Sequence, residues 1–191
     1  SGDRKLAKLI LAATGCQSCL NTERIHLKPS GLEGTGKTHA VKTTLHLHPP
    51  EWVYKGTLSN RALLYATGFK DGMIFFSDDT EMGPEFESYM RSAYSDFQVR
   101  PKRMSVSTQQ ASLPLEGPCR IVVYTTSVSD AWSAQMRDRM IDVPVDESDS
   151  RSKRVTELQR ARYKHGVPDL PMNDDVLTAR EILRDFKSQK K

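Results

Sequence analysis

Residues 31–38 have the types and the spacing of a phosphate-binding loop. They read Gly31-Leu32-Glu33-Gly34-Thr35-Gly36-Lys37-Thr38, matching the P-loop pattern of glycine, four variable residues and then Gly-Lys-Ser/Thr. Glycines let backbone N–H groups turn inward around a triphosphate, and a lysine adds positive charge beside the β and γ phosphates. We therefore expect these eight residues and His39 to bind nucleotide, with Lys37 on the phosphates and the Thr38 hydroxyl on Mg²⁺.

A second informative stretch is an apolar run that begins at Gly72. It ends in two carboxylates, Asp78 and Asp79. A buried parallel strand that ends in acids is a Walker B pattern. Because Mg²⁺ prefers hard oxygen ligands, Asp78 is predicted to hold the ion together with Thr38. The next acid, Asp79, is the predicted general base that activates water, with Glu81 as a weaker alternative.

Hydroxyl groups follow the next apolar run, Arg120-Ile121-Val122-Val123-Tyr124. A neutral donor at the end of this strand can contact the γ phosphate without titrating, and Thr126 or Thr125 is predicted to do so. Further along, Arg139 stands just before a predicted strand that reaches Val145. This position suits an arginine finger inserted into a neighbouring subunit's site, and Arg139 is favoured over Arg137, although each could equally be an ordinary surface arginine.

The elements around these motifs alternate between strand and helix. Residues 25–27 read as a strand that enters the loop, and a helix follows from Thr38, so its positive end faces the phosphates. Another helix is predicted over Leu6 to Leu11, with Gly15 as its end. A second strand is predicted at residues 52–54, and a helix at Ser59. This order predicts an α/β fold with a central parallel sheet.

The segment between the acids and the Thr125 strand has a different character. Residues 84–97 have the apolar spacing of an amphipathic helix. Residues 98–106 then form an extended basic stretch, which a polar tip at 107–110 and a return through 113–115 complete as a hairpin. Lys102 and Arg103 lie in its first arm and are predicted to contact a nucleic-acid backbone, although charged hairpins also occur simply as solvated edges.

The order of these motifs resembles superfamily 3 helicases of viruses and mobile elements. The resemblance covers about residues 20 to 147 and is carried by the P-loop, Asp78-Asp79-Thr80, Tyr89-Met90-Arg91-Ser92-Ala93, the basic hairpin and the run from Pro118 to Ser127. It implies an AAA+-like ring ATPase, a hexamer being favoured, whose hairpin enters a central channel and grips DNA. The family normally has Asn where this chain has Thr125-Thr126-Ser127.

Length and composition set the remaining limits. A chain of 191 residues with 37% hydrophobic and 27% charged residues fits one α/β domain. No apolar run approaches the roughly 18 residues of a membrane span, and the polar start is no signal peptide, so a cytoplasmic location, or a nuclear one for a virus of a nucleated host, is expected. The net charge of +4 permits a nucleic-acid partner without requiring one.

Cysteine spacing adds one open question. Cys16 and Cys19 have metal-ligand spacing, but no second pair completes a four-ligand site, and His26 and Cys119 are the only loose candidates. The preferred interpretation is that Cys16 and Cys19 are simply two small residues at the end of the first helix. Along the chain we expect an N-terminal helix in residues 1–20, an ATPase core in 21–147 and a small helical, lid-like subdomain in 148–191.

The sequence therefore predicts a Mg²⁺-dependent ATPase that moves along DNA in a ring. Two alternatives remain open at this point: an AAA+ clamp loader, initiator or remodelling ATPase, and a slow nucleotide-dependent assembly module acting on a protein partner. A nucleoside kinase fits less well, because no arginine-rich phosphate lid is evident.

Overall fold

The chain alternates strands and helices around a parallel sheet. The computed structural model describes residues 2–19, 25–32, 34–56, 68–77, 83–106, 112–126, 132–145, 148–166 and 172–189. In these ranges the strands are β1 (Leu27–Ser30), β2 (Val53–Lys55), β3 (Ile74–Ser77), β4 (Lys102–Val106), β5 (Ser112–Glu116), β6 (Val122–Thr125) and β7 (Ile141–Pro144). The helices are α1 (Gly2–Cys16), α2 (Lys37–Leu45), α3 (Pro84–Ser95), α4 (Ala134–Arg137), α5 (Asp149–His165) and α6 (Asp174–Ser188). The helix predicted at Ser59 lies outside the described residues.

Five of the strands form two hydrogen-bonded parallel groups, one of three strands and one of two, which lie side by side as the predicted central sheet. β3 pairs in parallel with β2 on one side and with β6 on the other, and β1 pairs in parallel with β7. β1 also contacts β6, which gives the strand order β7, β1, β6, β3, β2. The strand that leads into the P-loop is therefore internal, with β6 as one neighbour.

Successive residues of the central strands point to opposite faces of the sheet, and both faces are covered. Ile74 and Phe76 of β3 belong to the same buried cluster as residues of α1 and α2, whereas Phe75 belongs to the cluster that includes α3. This explains why β3 and β6 read as continuous apolar runs rather than as alternating ones. The predicted α3 is confirmed, and its Phe86, Tyr89, Met90 and Ala93 are buried.

The first helix contributes directly to this core. Leu6, Ile10 and Ala13 recur on one side of α1 and are completely buried in the cluster that also contains Val41 and Leu45 of α2. Just after α1, the buried Gln17 carboxamide donates hydrogen bonds to the backbone carbonyls of Met73 (3.1 Å) and Arg120 (2.9 Å). It thereby joins the segments that enter β3 and β6. The predicted division of the chain at residues 20 and 147 stays a prediction.

A row of cations anchors α6 to the edge of the sheet at which the strands begin. The Arg180 guanidinium donates to the His46 carbonyl at 3.1 and 2.9 Å, and Arg184 forms an ion pair with Glu51 at 2.6 Å. Lys187 donates to the Gly72 carbonyl at 2.7 Å. Since Gly72 precedes β3 and Glu51 precedes β2, α6 lies at the edge opposite the P-loop. The lid-like subdomain over residues 148–191 stays a prediction.

The antiparallel pair β4 and β5 confirms the predicted hairpin, and its base is fixed to the core. Arg100, just before β4, donates to the Asp71 carboxylate at 3.2 and 2.9 Å, and the same carboxylate accepts from the Cys119 backbone N–H after β5. Gly117 lies so close to α3 that an added Cβ would approach the Tyr89 hydroxyl to 2.2 Å. Both arms of the hairpin thus meet at one rigid point.

Within the described residues there is neither a membrane-spanning helix nor a metal-binding cluster. No helix in these ranges has a stretch long and apolar enough to cross a membrane. No three His, Cys, Asp or Glu side chains gather there as a metal site would require, and His26 stacks on the Tyr94 ring instead. α1 ends at Cys16, one residue after the predicted end at Gly15.

His48, between α2 and the 3-10 helix at Pro50–Trp52, is the buried titratable group with the clearest consequence for stability. Its Nε2 lies 2.9 Å from the Thr14 hydroxyl, whose own hydrogen can be donated to the carbonyl of Ile10 or Leu11. Burial, together with the nearby charges of Lys187 and Arg180, lowers the pKa of His48 to about 4. The neutral imidazole is therefore the form that the fold favours.

We predict that His48 makes the fold sensitive to acid. Because its pKa in the folded state is below the unfolded value, its stabilisation is complete above pH 6.5 and is lost as the pH falls through about 4. His48→Gln should reduce the stability lost between pH 7 and pH ~4.5 by about 2 kcal/mol, measured by urea unfolding. The matched control is His39→Gln at an exposed position of α2; equal acid loss in both variants would contradict the assignment.

Candidate nucleotide site

The P-loop backbone has the conformation that its glycines were expected to permit. Gly31, Gly34 and Gly36 have φ angles of 145°, 75° and 82°, in a region that other residues rarely adopt. α2 begins at Lys37, and no side chain caps its first turn. The N–H groups of that turn and the positive end of the helix dipole therefore face the loop, as an anion site requires.

Lys37 is held inside the loop rather than in solvent. Only 5% of the residue is exposed, and its Nζ donates to the backbone carbonyls of Gly31 at 2.7 Å and Leu32 at 2.8 Å. A buried ammonium group needs such oxygen partners. Phosphate oxygens are stronger partners of the same kind, so the ammonium group is already at the place where they would arrive.

Thr38 connects the P-loop to the end of β6. Its hydroxyl donates to the Thr126 hydroxyl over 3.0 Å, and Thr126 is only 3% exposed. Thr125 instead accepts a hydrogen bond from Trp132 Nε1 at 3.3 Å. Of the two threonines that the sequence left open, Thr126 is therefore the one that contacts the P-loop. Nothing in the sequence near Trp132 points to this indole contact.

The predicted acids follow the strand next to β6. Ser77, the last residue of β3, is paired with Thr125 of β6, so the two strands end side by side. Asp78 and Asp79 come next in the sequence but lie outside the described residues, as do Glu33 of the P-loop and Glu81. Their roles as metal ligand and general base, and that of Glu33 in binding, stay predictions.

Arg139 lies at the other edge of the sheet. It follows α4 and precedes β7, whose first residue pairs with Leu27, the first residue of β1. The P-loop follows the last residue of β1, four residues or about 13 Å further along the strand direction. The Arg139 guanidinium donates to the Gln135 carbonyl of α4, the helix that precedes it. The described geometry thus separates Arg139 from the P-loop of the same chain.

The predicted cations of the hairpin, Lys102 and Arg103, lie in β4. Lys102 is exposed and forms an ion pair with Glu116 of β5 at 3.1 Å. Arg103 pairs through the backbone with Leu115. A surface ion pair of this kind is worth at most about 1 kcal/mol, so phosphate could displace Glu116 at low cost. The tip at residues 107–111 lies outside the described residues.

A parallel sheet with helices on both faces, and a glycine loop between β1 and α2 that encloses a lysine, define an α/β P-loop NTPase. Comparison with protein families agrees: the chain belongs to the family described as "MTBMA_p00010 P-loop domain", which matches residues 1–189. Comparison with curated proteins gave no match. The family implies nucleotide binding, and the superfamily 3 resemblance is not established by these matches.

Two solved structures of RuvB variants from Thermotoga maritima share the fold. One aligns with a TM-score of 0.50 and 18% identity, covering 99% of this chain and 73% of that one. The other aligns with a TM-score of 0.50 and 20% identity, covering 96% of this chain and 59% of that one. At these identities the likeness concerns the fold alone, and the chain spans less than two thirds of the second protein.

The two threonines of the β6 end should respond differently to loss of the hydroxyl. Thr126→Val should lower nucleotide turnover at least about tenfold with little change in nucleotide affinity, because it removes a donor near the transferred phosphoryl. Thr125→Val should instead leave the buried Trp132 N–H unpaired and cost about 1–3 kcal/mol of stability. Turnover assays and urea unfolding of both variants would separate these effects; equal losses of turnover would contradict the distinction.

Proposed function

We propose that this protein hydrolyses ATP with Mg²⁺ in a ring of identical subunits and uses the energy to move along DNA. The observation that carries the hydrolytic part is the hydrogen bond between Thr38 and Thr126, which brings the end of β6 to the P-loop. A hydroxyl at that place can contact the phosphoryl group that leaves ADP. Binding alone would need only the loop.

The residues fit a magnesium nucleotide. The Thr38 hydroxyl is a hard oxygen ligand at the first turn of α2, and Asp78 is the proposed carboxylate partner. When bound, the ion would neutralise charge on the β and γ phosphates. Lys37 would bind the same phosphates, while Thr126 positions the γ phosphate and Asp79 takes a proton from the attacking water.

The separation of Arg139 from its own P-loop favours assembly. If Arg139 acts as an arginine finger, it must serve a second copy, because it lies far from the phosphates of its own subunit; a head-to-tail contact repeated with rotation closes into a ring. There the guanidinium would stabilise charge that develops during phosphoryl transfer. A hexamer is the ring size that the superfamily 3 resemblance favours.

The basic hairpin is the feature that favours DNA as the partner. Lys102 and Arg103 lie in one strand whose base is fixed to the core through Arg100 and Asp71. Positive charge on a rigid arm can follow phosphates without reading base sequence. A clamp loader or remodelling ATPase, or a slow assembly module, would use the same nucleotide site with a protein partner at this hairpin.

Single-stranded DNA should stimulate ATP turnover through the hairpin. Lys102→Ala/Arg103→Ala should keep basal turnover and lose the stimulation, and should flatten the dependence of DNA affinity on salt by about one to two units of log–log slope. The matched control, Lys153→Ala/Arg160→Ala, removes two charges from exposed positions of α5. Lys37→Ala should abolish nucleotide binding and turnover.

The outcomes separate the alternatives. No response to DNA would exclude the motor and favour a protein partner. Equal loss in the hairpin and α5 variants would indicate general electrostatic attraction rather than a hairpin contact. Normal turnover in Lys37→Ala would overturn the nucleotide site itself.

Mixing variants should reveal a shared site. Asp79→Ala subunits lack the proposed base but carry Arg139, and Arg139→Ala subunits have the reverse defect. An equal mixture should regain about a quarter of wild-type turnover per subunit. This is the fraction of interfaces at which an intact Asp79 of one subunit meets an intact Arg139 of the next. Absence of recovery, with both variants folded and assembled, would favour a site that is complete within one chain.

A further inference from the structure

Two polar contacts join α3 to the segment that carries Arg139. The Arg91 guanidinium donates to the Gln135 side-chain oxygen at 2.8 Å, and the Ser133 hydroxyl donates to the Glu87 carboxylate. Glu87 and Arg91 are four residues apart and therefore lie on the same face of α3. We call these four residues the α3–α4 clip.

The clip acts at a short helix whose apolar side is buried against α3. Trp132 and Met136 are buried in the cluster that contains Phe86 and Met90 of α3. Apolar packing holds the helix close but constrains its rotation weakly, because such contacts are not directional. Two hydrogen bonds at separate points fix the rotation as well.

Ser133 indicates that the contact has a cost elsewhere. It is the N-cap residue of α4, yet its side chain makes no capping hydrogen bond and is directed to Glu87 instead. A serine at this position normally stabilises the helix by accepting a backbone N–H of the first turn. In this helix the hydroxyl contributes to the attachment between helices rather than to the cap.

Gln135 links the clip to Arg139. Its side chain accepts from Arg91, while its backbone carbonyl accepts from the Arg139 guanidinium. The position of that carbonyl therefore sets where the guanidinium rests. α3 in turn begins at Pro84, five residues after Asp79 along the chain.

We infer that Arg91 and Gln135 are positioning residues for Arg139, and that the clip sets the direction in which this arginine is presented to a neighbouring subunit. The inference rests on the proposed role of Arg139 as an arginine finger. The clip residues themselves touch no phosphate; they act by fixing the helix from which Arg139 extends. A displacement of about 1 Å in such a group is enough to lower turnover strongly.

The first experiment compares Arg91→Ala, Gln135→Ala and the double variant. Each should lower turnover about five- to twentyfold with KM for ATP changed less than twofold, because each subunit's own nucleotide pocket is intact. The double variant should be no worse than either single one, as expected for two partners of one contact. Arg91→Lys should recover part of the loss, and Arg160→Ala on α5 is the control for removing an arginine.

The second experiment tests where the defect acts. Arg91→Ala subunits mixed with Asp79→Ala subunits should regain turnover as the mixture of Arg139→Ala with Asp79→Ala does, because the defect concerns the neighbour's site. If the Arg139 mixture recovers and the Arg91 mixture does not, the clip acts within its own subunit and the inference is overturned while the proposed function stands. If Arg139→Ala alone retains full turnover, the finger and the clip inference fail together. Wild-type turnover in Arg91→Ala would also overturn the inference.

Discussion

The hydrogen bond between Thr38 and Thr126 depends on the alignment of β1 and β6, and the rest of the site depends on it. β1 delivers the P-loop and β6 delivers Thr126, so the two hydroxyls meet only if both strands end at the same edge. The register of β3 against β6 then brings Ser77 level with Thr125. Close packing on both faces fixes these registers, because a slip of one residue would move every side chain into the cluster on the other face, where the neighbouring shapes differ.

Much of this arrangement could be predicted from the sequence, because strong local signals coincide with it. The glycines of the P-loop and the apolar runs of β3 and β6 each specify a backbone shape without reference to distant residues. The helical spacing of Phe86 and Met90 did the same for α3. The alternation of these signals was sufficient for the fold class.

Contacts between distant side chains were not predictable in the same way. The choice between Thr125 and Thr126 depends on the Trp132 indole, and the role of Gln17 depends on two carbonyls more than fifty residues away. The spacing of Glu87 and Arg91 predicts that they share one face of α3, but it does not predict which residues they contact. α6 was expected to belong to a lid-like subdomain. Its amphipathic pattern predicts that one face packs against the protein but does not predict where it docks. Its docking is decided by Arg180, Arg184 and Lys187, whose acceptors are mostly backbone carbonyls that no sequence pattern marks.

The single carboxylate at the base of the hairpin has a mechanical meaning. Asp71 holds the segment before β4 through Arg100 and the segment after β5 through the Cys119 N–H, so both arms are attached at one point. Asp71 also immediately precedes the turn into β3, the strand that leads to Asp78 and Asp79. A force on the hairpin would therefore be transmitted to β3 through the short stretch of backbone that follows Asp71. A shift of β3 would in the same way move the base of the hairpin.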